Sequence, residues 1–122
     1  MEKGLTFTSK DTVRVENLAK TVGSGDLEVL ATPAMAALME NAAMRAVAPE
    51  LPDGSTTVGA MLQLTHTRPS GMGETFTATA VLEEVDGRKL TFSLVASDSK
   101  GVIGEGKHVR YIVDRQKFMS KL

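Results

Sequence analysis

Apolar and polar residues follow two different rhythms along this chain. Between Ala34 and Ala48 the apolar residues are almost unbroken, interrupted only by Glu40, Asn41 and Arg45. Alanine, methionine and leucine lose little side-chain freedom in a helix, so this stretch predicts one long helix. Thr32 followed by Pro33 supplies its start: the threonine hydroxyl can cap free N–H groups, and proline suits the first turn. Pro49 and Pro52 stop it, and Asp53–Gly54 turns the chain. A helix that is apolar nearly all round is expected to be covered on most sides.

Elsewhere the period is two. Thr56–His66 carries Val58, Ala60, Leu62 and Leu64 on its even positions. Glu74–Glu84 carries Phe76, Ala78, Ala80 and Leu82, and Arg88–Ser97 carries Leu90, Phe92, Leu94 and Ala96. Val102–Val113 reads as the last strand, and Gly4–Val15 as the first, with an irregularity at Ser9–Asp11. The Gly/Ser-rich stretch Lys20–Asp26 reads as a loop. Pro69–Gly73, Asp86–Gly87 and Ser97–Gly101 are turns short enough to favour antiparallel neighbours. The order of strand, helix and four strands predicts an α+β layer: one antiparallel sheet wrapped around one long central helix, the hot-dog fold.

Composition then narrows the chemistry. At 122 residues the chain is expected to be a single domain spanning 1–122. Fourteen basic and fifteen acidic residues leave a net charge of −1, so no nucleic-acid partner is expected. The apolar runs are too short to cross a bilayer as a helix, and MEKGLTFTSK has no apolar core. Neither a membrane nor a secretory route is expected, and a cytoplasmic location is the default. Without cysteine there are no disulfides, thiol nucleophiles or thiolate zinc sites. Two histidines without spaced carboxylates do not make a metal site, so neither metal nor cofactor is expected. A core of this size makes oligomerisation an option.

Few side chains remain that can carry chemistry. Glu40 is the one acid in the body of the apolar helix. Burial there would favour its neutral form and make it a candidate base or nucleophile. The bland alternative is an exposed stripe shared with Asn41 and Arg45. His66 shares the even, apolar phase of its strand and should point inward, either toward chemistry or toward a backbone carbonyl. Thr32 is either the helix cap or a hydroxyl that orients a reacting group. Gly59 interrupts a β-rich strand, which marks a bulge or a close approach by another group. His108, in phase with Arg110 and Ile112, reads as structural or exposed. The G-x-x-G-x-G at Gly101–Gly106 opens no helix, so it is not read as a nucleotide site.

Four runs carry a resemblance: LEVLATPAMAALMENAA (27–43), TTVGAMLQLTHTRPSGMGE (56–74), EEVDGRKLTF (83–92) and IGEGKHVRYIVDRQKF (103–118). In order and spacing they resemble hot-dog thioesterases of the fluoroacetyl-CoA thioesterase type. The resemblance implies an acyl-CoA hydrolase with a catalytic set at Thr32, Glu40 and His66. It places Gly59 near the thioester carbonyl and Arg110 at the acyl pocket. That family type guards its acyl pocket with aromatic residues near the helix, and Leu27–Leu30 has none. A short-chain acyl-CoA is therefore expected in place of a fluoroacetyl-selective pocket. The resemblance further implies a homodimer, with pairing into a tetramer left open, and sites at the subunit interface. Thr32 and Glu40 would stand about 12 Å apart on one ideal helix. Glu40 and His66 are expected to meet in the dimer. The alternative is a hot-dog module that binds acyl-CoA without turning it over. A hydratase would need an Asp and a His together at a strand-to-helix junction, and none is present.

Overall fold

A computed structural model describes residues 1–122. Five strands form one sheet: β1 (Thr6–Thr12), β2 (Ser55–His66), β3 (Thr75–Asp86), β4 (Lys89–Asp98) and β5 (Gly101–Asp114). Their spatial order is β1-β3-β4-β5-β2, and every pairing is antiparallel. Three helices accompany them: α1 (Ala19–Val22) and α2 (Thr32–Val47) between β1 and β2, and α3 (Arg115–Ser120) after β5. α2 lies across one face of the sheet, chiefly over β1 and β3, which is the hot-dog arrangement.

The period-two reading holds for β3 and β4. Phe76, Ala78, Ala80 and Leu82 are buried, as are Leu90, Phe92, Leu94 and Ala96. They meet Met35, Met39, Ala42, Ala43 and Val47 of α2 in one apolar cluster. The tight turn between β3 and β4 is carried by Gly87 at φ 60, with Asp86 facing Lys89.

Several expectations are corrected. β1 pairs with β3 residue for residue from Thr6 to Thr12, with no irregularity at Ser9–Asp11. The stretch read as a loop from Lys20 begins inside α1, which ends where Gly23 takes a left-handed conformation. α3 follows β5 directly, started by the Asp114 carboxylate accepting from the Lys117 N–H. α2 is covered on one side only: Pro33, Ala37 and Met44 face outward.

The largest correction lies in β2. Its register against β5 shifts between Gly59 and Met61. The extra residue, Ala60, reverses the alternation. Thr57 and Gly59 therefore share the inner face with Leu62, Leu64 and His66. The even-numbered face expected from Val58 onward holds only from Leu62.

Candidate active site

Two polar clusters sit on the inner surface, at opposite ends of β2. The first joins Thr32 to His66. Thr32 is not the cap. Ala31 occupies that position with extended backbone, and Thr32 starts the helix itself. Its hydroxyl is 2.8 Å from His66 Nδ1. Loop bonds hold the two segments in place: the Leu30 N–H donates to the Ser70 carbonyl, and the Thr67 N–H to the Ile103 carbonyl. Ser70 in turn donates to Asp98, whose carboxylate also takes the Lys100 N–H and pairs with Arg68. These bonds hold the Asp98 carboxyl below its ordinary pKa against the opposing effect of burial. His66 Nε2 is buried and makes no hydrogen bond within the chain. Burial pushes the His66 pKa down, with the nearby Arg68 backbone opposing, so the neutral ring is favoured. A cavity of about 260 Å³ opens beside the pair, lined among others by Val29, Leu30 and Arg68.

The second cluster surrounds Glu40. Asn41 and Arg45 turn the other way, toward β1: Ser9 donates to Asn41, and the Arg45 guanidinium lies 4.5 Å from the Phe7 ring centre. Glu40 reaches over β2, so it does not share an exposed stripe with them. Nor is it enclosed by apolar surface, since its side chain is 44% exposed in the single chain. Its Oε2 lies 3.7 Å from Arg110 Nη1 and 3.9 Å from His108 Nε2. Gly59 makes this approach possible, because a Cβ there would stand 2.6 Å from Glu40 Oε2. Gly59 also faces Arg110 directly across the β2–β5 ladder.

Arg110 is buried and held from three sides. Its Nε donates to Thr57 Oγ1 at 2.8 Å, and Nη2 to the Thr57 carbonyl at 2.9 Å. Nη1 lies 3.2 Å from His108 Nε2. Burial pushes the guanidinium pKa down, and Glu40 opposes this. His108 was expected to be structural or exposed; it is 1% exposed and bonded to the Met61 carbonyl, which is the structural alternative, and its ring borders Glu40 and Arg110. Its phase with Arg110 was readable, but the apolar Val109, Tyr111 and Val113 suggested the wrong inward face.

The sequence candidates thus fall into two half-sites. Thr32 meets His66, while Glu40 meets Gly59, Arg110 and His108. Within one chain Glu40 and His66 are not joined. Gly59 and His66 are seven residues apart on β2, about 23 Å for an extended strand.

This fold, with a carboxylate and a Thr–His pair on its inner surface, defines a thioesterase of the hot-dog type. A family model described as fluoroacetyl-CoA-specific thioesterase matches residues 13–116, and the chain belongs to that family. The fluoroacetyl-CoA thioesterase of Streptantibioticus cattleyicolor is 41% identical over 95 residues, 78% of this chain and 68% of that protein. A crystal structure of the fluoroacetyl-CoA thioesterase FlK superposes with a TM-score of 0.92 at 35% identity, covering 99% of this chain and 94% of that one. A threonine-to-serine mutant of the same enzyme, in complex with acetyl-CoA, gives 0.93 at 34% identity over 99% and 96%.

Proposed function

We propose that the chain hydrolyses a short-chain acyl-CoA, releasing a carboxylic acid and CoA, at sites completed by a second copy. The observation that carries this is the Glu40 carboxylate, brought over Gly59 to within 3.7 Å of Arg110. Glu40 activates water or attacks the thioester carbon itself. Either route consumes one water, breaks the C–S bond and leaves a carboxylate and a thiol. The Gly59 backbone N–H and Arg110 suit the oxygen on which negative charge develops. With the Thr32 hydroxyl donating to Nδ1, the ring proton of His66 sits on Nε2, ready for the departing sulfur. Leu27–Leu30 offers no aromatic wall, so acetyl, propionyl and fluoroacetyl thioesters are all expected to enter.

The second copy follows from the separation of the half-sites. β2 is an edge strand of twelve residues. Antiparallel pairing of two such edges, about a two-fold axis near Leu62 and Gln63, sets Gly59 opposite the partner's His66. Glu40 of one copy then faces the Thr32–His66 pair of the other. The outward apolar Met44 lies on the same side of α2 as Glu40, on the surface such a pairing would cover.

Thiol release across a panel of acyl-CoA esters tests the reading. Release is expected with short acyl groups, and Glu40→Gln is expected to lower kcat by about a hundredfold or more. Binding without release for every ester would establish the non-catalytic module. Release unaffected by Glu40→Gln would assign the chemistry to another group.

A further inference from the structure

We infer that His108 is a positioning residue, a neutral imidazole that holds Nη1 of Arg110 just off the carboxylate of Glu40. The inference rests on the hydrolase reading above and adds a residue to it.

The hydrogen bonds fix the ring's protonation. His108 Nδ1 lies 2.7 Å from the Met61 carbonyl oxygen. A carbonyl only accepts, so Nδ1 must carry a proton. The other ring nitrogen faces Arg110 Nη1 at 3.2 Å, and a guanidinium only donates. Nε2 must therefore present its lone pair. The two contacts together admit one state, the neutral Nδ1–H tautomer. Protonation of Nε2 would set two donors against each other and break the link.

The surroundings agree. The groups facing the ring are the Phe92 side chain, the Met61 carbonyl, Arg110 and Glu40. Burial, more than any of these, keeps the ring from taking a second proton. Thr57 fixes Nε and Nη2 of Arg110, which leaves Nη1 as the edge nearest Glu40. The planar guanidinium places that edge, and His108 takes one of its hydrogens. Without it that hydrogen is free, and the flexible Glu40 carboxylate would close on it, tying down the oxygen that has to meet water or thioester. With it, Glu40 stays at 3.7 Å, charge-paired but outside hydrogen-bond distance.

Two substitutions separate this role from simple packing. Asparagine can keep a donor for the Met61 carbonyl but cannot reach Arg110. Glutamine can offer an oxygen near the place of Nε2 but gives up the Met61 bond. Positioning predicts that His108→Asn lowers kcat/KM by about tenfold or more, mainly in kcat, and that His108→Gln recovers it to within about threefold. The reverse order, or the same activity in both whether kept or lost, would overturn the proposal. A second measurement needs no variant. The chain has only two histidines, so nitrogen-15 spectra of the wild-type protein at neutral pH resolve each ring. His108 is expected as the Nδ1–H tautomer; an Nε2–H tautomer or an imidazolium overturns the inference whether or not any thioester is cleaved. Wild-type thiol release, read separately, reports on the hydrolase reading alone.

Discussion

At the scale of single residues, the site depends on what is missing as much as on what is present. Gly59 is the clearest case. A methyl group there would meet Glu40 Oε2 at 2.6 Å, yet that oxygen ends a flexible, partly exposed side chain and can move away. Gly59→Ala is therefore expected to leave the melting temperature nearly unchanged while lowering kcat by tenfold to about a hundredfold, because the carboxylate is displaced. Thermal unfolding and thiol release on the same sample check both halves. The histidines make a second prediction. Burial lowers the pKa of both His66 and His108 below the ordinary value of 6.5. As pH falls through that value, the unfolded chain takes up protons that the folded chain refuses. Stability is therefore full above about pH 7 and declines as pH falls from 6.5 toward the folded-state values. Melting curves from pH 7.5 to 5.5 should show the decline, and His108→Gln should flatten part of it. A flat profile for the wild type would contradict burial of neutral imidazoles. Asp98, Glu74 and Glu28, all held below their ordinary values, add a separate loss only under more acid conditions.

At the scale of elements, β3 and β4 were legible because the register shifts they carry, after Leu82 and after Ala96, fall beyond their buried apolar runs, and α2 because its apolar stretch is unbroken by proline or glycine. β2 was not. One extra residue at Ala60 reverses which side chains face the core, and a period of two carries no sign of where it slips. Gly59 was the local hint, since glycine in a strand marks such places, but it did not say which way the phase would change. Thr32 was legible as a polar residue at the helix start, and its partner was not, because its bond to His66 spans 34 positions of sequence. The place of His108 beside Glu40 was not legible for a related reason: Gly104, Gly106, His108 and Arg110 form the inner face of β5, while the apolar odd positions there include the exposed Tyr111. The two glycines were the available signal, for they clear that face for close neighbours. A Cβ on Gly104 would stand 2.5 Å from the Thr65 carbonyl and 2.8 Å from the Met35 methyl. The methionine can yield, but the backbone of β2 cannot without losing its pairing. Gly104→Ala is expected to cost about 1–3 kcal/mol, measured as a lower urea midpoint with an unchanged slope.

At the scale of the whole molecule, the question is whether one chain or two make a site. The half-sites are separated along α2 by eight residues, about 12 Å of helix, and by a longer stretch of β2. Side-chain rotation does not close such a gap, whereas a two-fold axis midway along β2 does. Mixing two inactive variants decides the matter. Glu40→Gln lacks the carboxylate, and His66→Ala lacks the imidazole. If each site draws Glu40 from one copy and the imidazole from the partner's His66, a mixed dimer carries both lesions in one site and none in the other. After free exchange half of the dimers are mixed and half of their sites intact, so about a quarter of wild-type activity should return. The same samples should run near twice the chain mass of 13.0 kDa. If the variants exchange but no activity returns, each site belongs to a single chain, and the Thr32–His66 pair and Glu40 must be brought together by a movement of α2 within it. The open apolar face of α2 and the unpaired edge of β2 favour the shared site, because the surface that joins the copies is then the surface that joins the chemistry.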